Sequence, residues 1–464
     1  MQSQIDEVKR IRNKQREASV QKASKGPAYR LDLLIQIKRM LEENEIAWLN
    51  ALNQDLKKPP VEAYASEMGV LLNEIDEMTK HLTEWMSSKI KHRFLLTGME
   101  EVKITRKPYG SVLVLAPWNY PLQLALMPVI GALAAGNSVV LKPSEFAQAT
   151  SHLLAELVPL YFNEEQLKVI QGDAEVAKQL TALEWDFVFF TGSVETGRKV
   201  YKAAAEHLTP VLLELGGKNP LILDETGLND EAIKQIAWGK FLNAGQSCIA
   251  PDTVYVSRPI YEDFLERMTK QIRNFYGKNP SQSNDFGRII HEKQFKKVAS
   301  FLKDGKVYSG GATSKEDLYI SPTLLVDIKP GSSIATEEIF GPILPVIPYD
   351  SLENLLDELS GLSAPLVTYV FSEKDEVIQK VNQQLESGAL SQNQVILHST
   401  SPHLPFGGRG QSGLGRYHGQ ASYEAFSVEK PHYTKKPSVS FSNQFPPYSK
   451  GALGALRKFR KYIF

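Results

Sequence analysis

Three residues of this sequence have the types and settings that acyl transfer needs. Cys248 is the only cysteine and lies in Asn243-Ala244-Gly245-Gln246-Ser247-Cys248-Ile249-Ala250-Pro251. Its small and polar neighbours place it on a loop after a predicted helix, where a thiol is accessible enough to react. At neutral pH a few per cent of an unperturbed thiol is already thiolate, so modest activation suffices. Taken alone, a cysteine is more often a small buried apolar residue. Glu214 follows Val211-Leu212-Leu213 and opens Leu215-Gly216-Gly217-Lys218. A carboxylate at a strand terminus faces the crevice where open α/β sheets bind ligands; a capping or ion-paired Glu is the alternative. Asn119 sits in Ala116-Pro117-Trp118-Asn119-Tyr120-Pro121, a turn stiffened by two prolines. A fixed Asn amide can donate to a developing oxyanion, or bond to the backbone of its own turn.

Two further segments suit a nucleotide. Phe190-Thr191-Gly192-Ser193-Val194-Glu195-Thr196-Gly197 reads as strand, turn and helix start. That order offers a pyrophosphate free N–H groups and the positive end of a helix, although an ordinary strand-to-helix turn looks the same. Lys142-Pro143-Ser144-Glu145 follows Ser138–Leu141. Its Lys and Glu can hold ribose hydroxyls at a strand's carboxyl end, or form a solvated pair. A GxGxxG occurs at Gly408–Gly413, but His403-Leu404-Pro405-Phe406 precedes it instead of a β-rich run, so it reads as a structural loop. HExxH, metal-spaced His pairs and GxxxxGK[ST] are lacking. A single Cys excludes an intramolecular disulfide and a multi-Cys metal site, and fits a reducing compartment.

These residues need elements to hold them. Short runs at Ser111–Leu115, Ser138–Leu141, Leu167–Ile170, Phe187–Phe190, Val211–Leu213 and Pro220–Leu223 alternate with helical stretches. They predict buried parallel strands in a Rossmann-like, doubly wound α/β domain. Helices at 228–243, 259–276 and 291–304, with strands near 253–257, 322–326 and 367–371, predict a second α/β domain. Residues 5–55 read as one or two long surface helices, with Ile5, Val8, Ile11, Leu34, Ile37, Leu41 and Trp48 at helical spacing. With 53 basic and 53 acidic residues among 464, and 42% hydrophobic residues, the composition is that of an ordinary globular protein and argues against a nucleic-acid binder. The charged amino terminus is no signal peptide. The longest apolar stretch, Leu124–Gly136, is too short for a bilayer and is interrupted by Pro128. A soluble, cytoplasmic protein is expected.

Taken in order, Pro117-Trp118-Asn119, Lys142-Pro143-Ser144-Glu145, Phe190-Thr191-Gly192-Ser193, Glu214-Leu215-Gly216-Gly217-Lys218, Gly245-Gln246-Ser247-Cys248 and Glu337-Glu338-Ile339-Phe340-Gly341-Pro342 resemble the aldehyde dehydrogenase superfamily. Pro405-Phe406-Gly407-Gly408 extends the likeness. Ile249-Ala250-Pro251-Asp252 and Tyr417-His418-Gly419, with a short amino terminus, are similar to the class 3 branch, which includes fatty aldehyde dehydrogenases. The resemblance implies a cofactor domain over 1–83 and 108–213 and a catalytic domain over 214–391. It also implies a bridging or oligomerisation segment over 84–107 and 392–435, and a basic tail over 436–464.

The resemblance further implies oxidation of medium- or long-chain aliphatic or aromatic aldehydes by a homodimer. Cys248 attacks the aldehyde, Asn119 and the Cys248 N–H hold the oxyanion, and Glu214 activates water against the thioester. No metal is required. Lys142 and Glu145 would face the adenosine ribose, Ser193 the pyrophosphate, Glu338 the nicotinamide ribose and Phe340 the nicotinamide ring. Leu215 and Gly216 would lie beside the nicotinamide. Trp118, Ser144, Gly192 and Gly197 complete the expected cofactor residues. NAD is expected, with NADP tolerated poorly or moderately, because Glu145 would repel a 2′-phosphate. Competing readings are a CoA-acylating relative, which has little use for Glu214, and a silent structural member, which would have lost Cys248, Glu214 or Asn119. Arg409 departs from the pattern; at a substrate entrance its cation would change aldehyde preference.

Past Glu429 the sequence has eight basic and no acidic residues. Within KGALGALRKFRKYIF a helix starting near Ala455 would put Leu456, Phe459 and Ile463 on one face. Such a segment suits the headgroup region of an anionic membrane, or packs on its own subunit.

Overall fold

The computed structural model describes residues 2–22, 26–87, 89–93, 100–435 and 445–463. Residues 94–99 of the expected bridging segment and 436–444 of the expected tail lie outside the described residues.

The apolar runs pair as parallel strands because they are buried on both faces. Every residue of Ser111–Leu115 and Ser138–Lys142 is buried. Alternate side chains serve separate cores, Val112 and Val114 on one side, Leu113 and Leu115 on the other. The sheet order is Val211–Leu215, Phe187–Gly192, Ser111–Leu115, Ser138–Lys142, Leu167–Val169, all parallel. Short Gly413–Leu414 adds antiparallel beside Val211–Leu215. The chain winds outward in both directions from Ser111–Leu115. The turns leaving this strand and its neighbour Phe187–Gly192 therefore flank the switch-point crevice.

The described residues up to 56 form three amphipathic helices, Gln2–Lys22, Pro27–Glu43 and Glu45–Leu56, with one face buried and one exposed, rather than one or two. Ile5, Val8 and Ile11 join the core on the Leu113 face. Leu34, Ile37, Leu41 and Trp48 join the opposite core with helices Gly69–Trp85 and Gln123–Ala135. The long apolar stretch is that last helix, and all 13 of its residues are buried, so it is apolar all round. Among the described residues no helix is long and apolar enough to cross a membrane.

The second sheet orders Lys306–Ser309, Thr323–Val326, Ile343–Tyr349, Thr253–Ser257, Pro220–Leu223, Val367–Phe371 and Ala389–Gln392, parallel except at its Lys306–Ser309 edge. Three of these escaped the sequence reading. Pro345 and Pro348 interrupt Ile343–Tyr349, and the other two are short edge strands. A third, antiparallel sheet joins Lys89–Arg93, Glu100–Pro108 and Ser427–Lys435. Glu100–Pro108 is too charged for a core-strand signal. In the tail a helix runs Ala452–Ile463, one turn earlier than expected. Backbone bonds from Ala452 to Ser449 and from Ala455 to Gly451 close that first turn despite its glycines.

Candidate active site

Glu214 does not end its strand. Pairing continues through Leu215, and Glu214 lies opposite Thr191 on one side and Gly413 on the other. The carboxylate is thereby drawn inside, 3% exposed, with neither oxygen partnered among the described residues. Burial holds it well above the usual carboxylate range, with Arg416 opposing. Thr191 Oγ1 is likewise buried without a partner. A Cβ at Gly407 would lie 3.0 Å from Glu214 Oε1, so the Gly-rich loop walls in the carboxylate.

The Cys248 loop leaves helix Asp230–Phe241 through consecutive left-handed residues, Asn243 (φ 52°), Ala244 (φ 51°) and Gly245 (φ 73°). The two non-glycine residues cost about 1 kcal/mol or more each and persist only where the surroundings fix them. The fixing groups bind the loop's carbonyls. Asn119 Nδ2 donates to Gln246 O at 3.1 Å, Asn219 Nδ2 to Cys248 O at 2.7 Å and Ala250 O at 3.0 Å, and Tyr369 Oη to Ile249 O at 2.6 Å. The backbone N–H groups of Cys248 and Ile249 favour the thiolate, and Ile249 N donates to Ser247 Oγ at 3.4 Å.

Cys248 is half-buried and reachable, yet its thiol is not the mildly activated group expected from the loop. Burial first, then the charges of Glu338 and Glu214, pushes it up to about 12. Its access is through a cavity of about 420 Å³ that it shares with Glu214 and Thr191. Tyr120, Trp238, Phe275, Ile396, Phe406 and Tyr417 make most of that cavity aromatic or aliphatic. Arg409 is not among the lining residues; it pairs with Glu386 on the surface.

The expected cofactor residues stand along the carboxyl ends of the first sheet. Lys142 Nζ donates to Glu145 Oε2 at 2.7 Å, and Ser144 Oγ accepts from Phe146 N at 3.3 Å. Gly192 ends its strand, and Ser193 caps helix Val194–Ala205 by accepting from Thr196 N. Gly197 lies against Leu215, where a Cβ would come within 2.5 Å, so it lets the helix approach the strand. Glu338 packs on Gly216, where a Cβ would sit 2.0 Å from Oε2, and accepts from the Gly217 N–H. Its Oε1 is buried without a partner, and burial together with Asp252 raises it to about 8. Phe340, at φ 50°, meets Trp118 edge-on at 5.3 Å. Asp252, ion-paired to Lys218, fixes this segment through Ile339 N at 2.9 Å, while Lys218 binds the carbonyls of Ile334 and Glu337.

The family model described as "Aldehyde dehydrogenase family" matches residues 1–431. The protein belongs to that family. It is 48% identical over 424 residues to the 4,4'-diapolycopene-4,4'-dial dehydrogenase of Cytobacillus firmus, covering 91% of this chain and 93% of the relative. It is 39% identical over 440 residues to the 4,4'-diaponeurosporen-aldehyde dehydrogenase of Staphylococcus aureus, covering 94% and 96%. Aldehyde dehydrogenase family 3 member A2 of Macaca fascicularis is 38% identical over 462 residues, covering 98% and 94%. A solved structure of the substrate-bound state of Staphylococcus aureus AldH superposes with a TM-score of 0.95 at 38% identity, covering 98% of this chain and 99% of that one. The class 3-like resemblance holds, and this aldehyde dehydrogenase is an oxidoreductase of a family that uses NAD or NADP.

The motif residues left the positioning groups unread. Asn243 and Asp252 stood within quoted segments but carried no role of their own, and Asn219 fell just past Lys218, outside any of them. Thr191 stood inside the Phe190–Ser193 segment without a role, and Arg416 gave no signal beyond adjacency to Tyr417-His418-Gly419.

Proposed function

We propose that the enzyme oxidises long, apolar aldehydes to carboxylic acids with NAD, accepting NADP less well, through a thioester on Cys248. The observation that carries this reading is a thiol and an unpartnered buried carboxylate facing one apolar cavity. The relatives named for polyene aldehydes support the choice of substrate.

Residues 1–83 and 108–213 would hold the cofactor. Glu145 is suited to the adenosine ribose, Ser193 to the pyrophosphate and Glu338 to the nicotinamide ribose. The buried, unpartnered Glu338 oxygen and the close approach it makes over Gly216 fit such a ligand. When bound, nicotinamide supplies the hydride acceptor that turns the Cys248 adduct into a thioester. Burial and two carboxylates oppose loss of the thiol proton, and the positive charge of an oxidised nicotinamide opposes them in turn. The thiol proton leaves to solvent as Sγ bonds to the aldehyde carbon and the carbonyl electrons move to oxygen. Asn119 Nδ2–H and the Cys248 N–H donate to that oxyanion. Glu214, ionised, then takes a proton from water as the water oxygen attacks the thioester carbon, and the C–S bond breaks to release acid. An apolar cavity keeps Glu214 a stronger base than a solvated carboxylate.

The enzyme would work in the cytoplasm as a homodimer, with the three-stranded sheet and residues 84–107 and 392–435 as the contact. The tail would touch anionic membranes. Tyr448 and Leu453 are 66% and 60% exposed, and Lys450, Arg457 and Lys458 are exposed without acidic neighbours in the tail. The test is absorbance of reduced cofactor with decanal, a polyene aldehyde and acetaldehyde, with NAD or NADP and with or without CoA. The expectation is at least about tenfold higher kcat/KM for the long aldehydes and no CoA requirement. Equal rates on acetaldehyde would overturn the substrate reading.

A further inference from the structure

We infer that the buried ion pair Lys58–Glu67 positions the Asn119 amide for the oxyanion. This rests on the oxyanion role proposed for Asn119. Both side chains are 0% exposed. Burying two charges is costly unless each remaining donor and acceptor finds a partner, and here the partners belong to one turn. Lys58 Nζ donates to Glu67 and, at 3.1 Å, to the carbonyl of Asn119. It also stands 3.9 Å over the Tyr120 ring. Glu67 Oε2 accepts from Leu122 N at 2.9 Å and Gln123 N at 3.1 Å. Those are the opening amides of helix Gln123–Ala135, where a carboxylate is also favoured by the helix dipole.

The ammonium therefore grips the turn at Asn119, and the carboxylate grips it three and four residues later. The backbone between them cannot rotate without breaking one of these bonds. Asn243 closes the circuit. Its Nδ2 donates to Asn119 O at 2.7 Å and to Gln246 O at 3.2 Å, the same carbonyl that accepts from Asn119 Nδ2. The Asn119 amide is thus referenced to the Cys248 loop from two directions. Glu67 lies in a π-helical turn, Tyr64–Met68, a local irregularity common at functional sites. A buried ion pair is poor evidence of stability, since apolar residues of equal size would serve the core as well. Its use here lies in where its hydrogen bonds end.

The test is a double-mutant cycle on the full chain. Lys58→Met with Glu67→Gln removes both charges and leaves no unpaired ion. In the Asn119 enzyme, kcat for decanal should fall about tenfold to a hundredfold, because a displaced oxyanion donor acts in the transition state. KM for NAD and the unfolding temperature should change little. In the Asn119→Ala background the same pair of substitutions should cost less than about twofold, because both act through one amide. Glu67→Gln alone keeps the volume and one acceptor, and should show the same coupling at smaller amplitude. Equal fractional losses in the two backgrounds, or no loss with Asn119 present, would overturn the inference. Full activity of Asn119→Ala by itself would instead overturn the oxyanion assignment beneath it.

Discussion

The proposed cofactor edge and the proposed aldehyde cavity meet at the carboxyl end of the first sheet, yet they are built in opposite ways. The cofactor edge is polar and mostly satisfied. Lys142 holds Glu145, Ser193 caps its own helix, and Lys218 with Asp252 holds the Glu338 segment. Lys142, Glu145 and Ser193 end their strands or follow them within a few positions, while Asp252 and Glu338 precede strands of the second sheet. The cavity collects side chains from residues 59–70, 120–124, 238–249, 275–276 and 396–418, and it leaves Glu214 and Thr191 without partners. Binding a constant ligand favours satisfied, local contacts. Chemistry on an apolar substrate favours groups kept out of water and left free to act.

The largest expected effect breaks the cavity alone. Cys248→Ser should lower turnover more than about a thousandfold, a barrier change above about 4 kcal/mol, while NAD binding by fluorescence titration stays near wild type. Turnover above that level would remove Cys248 as the nucleophile. Next comes Glu214→Gln, expected to lower steady turnover about a hundredfold while a burst of reduced cofactor survives. Equal loss of burst and steady rate would contradict a base acting mainly in hydrolysis.

At the cofactor edge the effects are smaller. Gly216→Ala drives a Cβ into the Glu338 carboxylate and should raise KM for NAD about tenfold with less change in kcat. A larger change in kcat than in KM would place Gly216 with the chemistry. Steady-state turnover should also rise with pH. Glu214 must be ionised to take a proton from water, and burial raises its folded-state pKa, so activity is lost as pH falls through that raised value. A kcat profile flat from mildly acidic to mildly alkaline pH would show that the base is not buried during turnover. The smallest effect concerns the tail. Truncation after Ser449 should leave kcat unchanged and abolish co-sedimentation with anionic vesicles at low salt. Equal, negligible binding of both forms would dispose of membrane contact.

The same contrast explains what the sequence disclosed. Parallel strands such as Ser111–Leu115 read clearly because two buried faces demand continuous apolar runs. Cys248, Glu214 and Asn119 read clearly because their neighbours form contiguous segments. Glu100–Pro108 and Ile343–Tyr349 did not, since charge and proline mask strands whose pairing is tertiary. The raised thiol pKa was invisible as well, because burial, and then the charge of Glu338 from 90 residues away in sequence, act on Cys248 only after folding. Lys58 and Glu67 carried no signal, because their partners at Asn119, Leu122 and Gln123 lie about 55 to 61 residues away in sequence and meet them only on folding.

The most direct measurement on the central assignment traps the intermediate. Glu214→Gln enzyme is mixed with NAD and decanal, quenched in acid during the burst, digested and analysed by mass spectrometry. The expected result is a decanoyl thioester on the Cys248 peptide, approaching one per active site and lost with Cys248→Ser. An unmodified Cys248 peptide alongside a full burst of reduced cofactor would contradict the shared thiol–carboxylate mechanism.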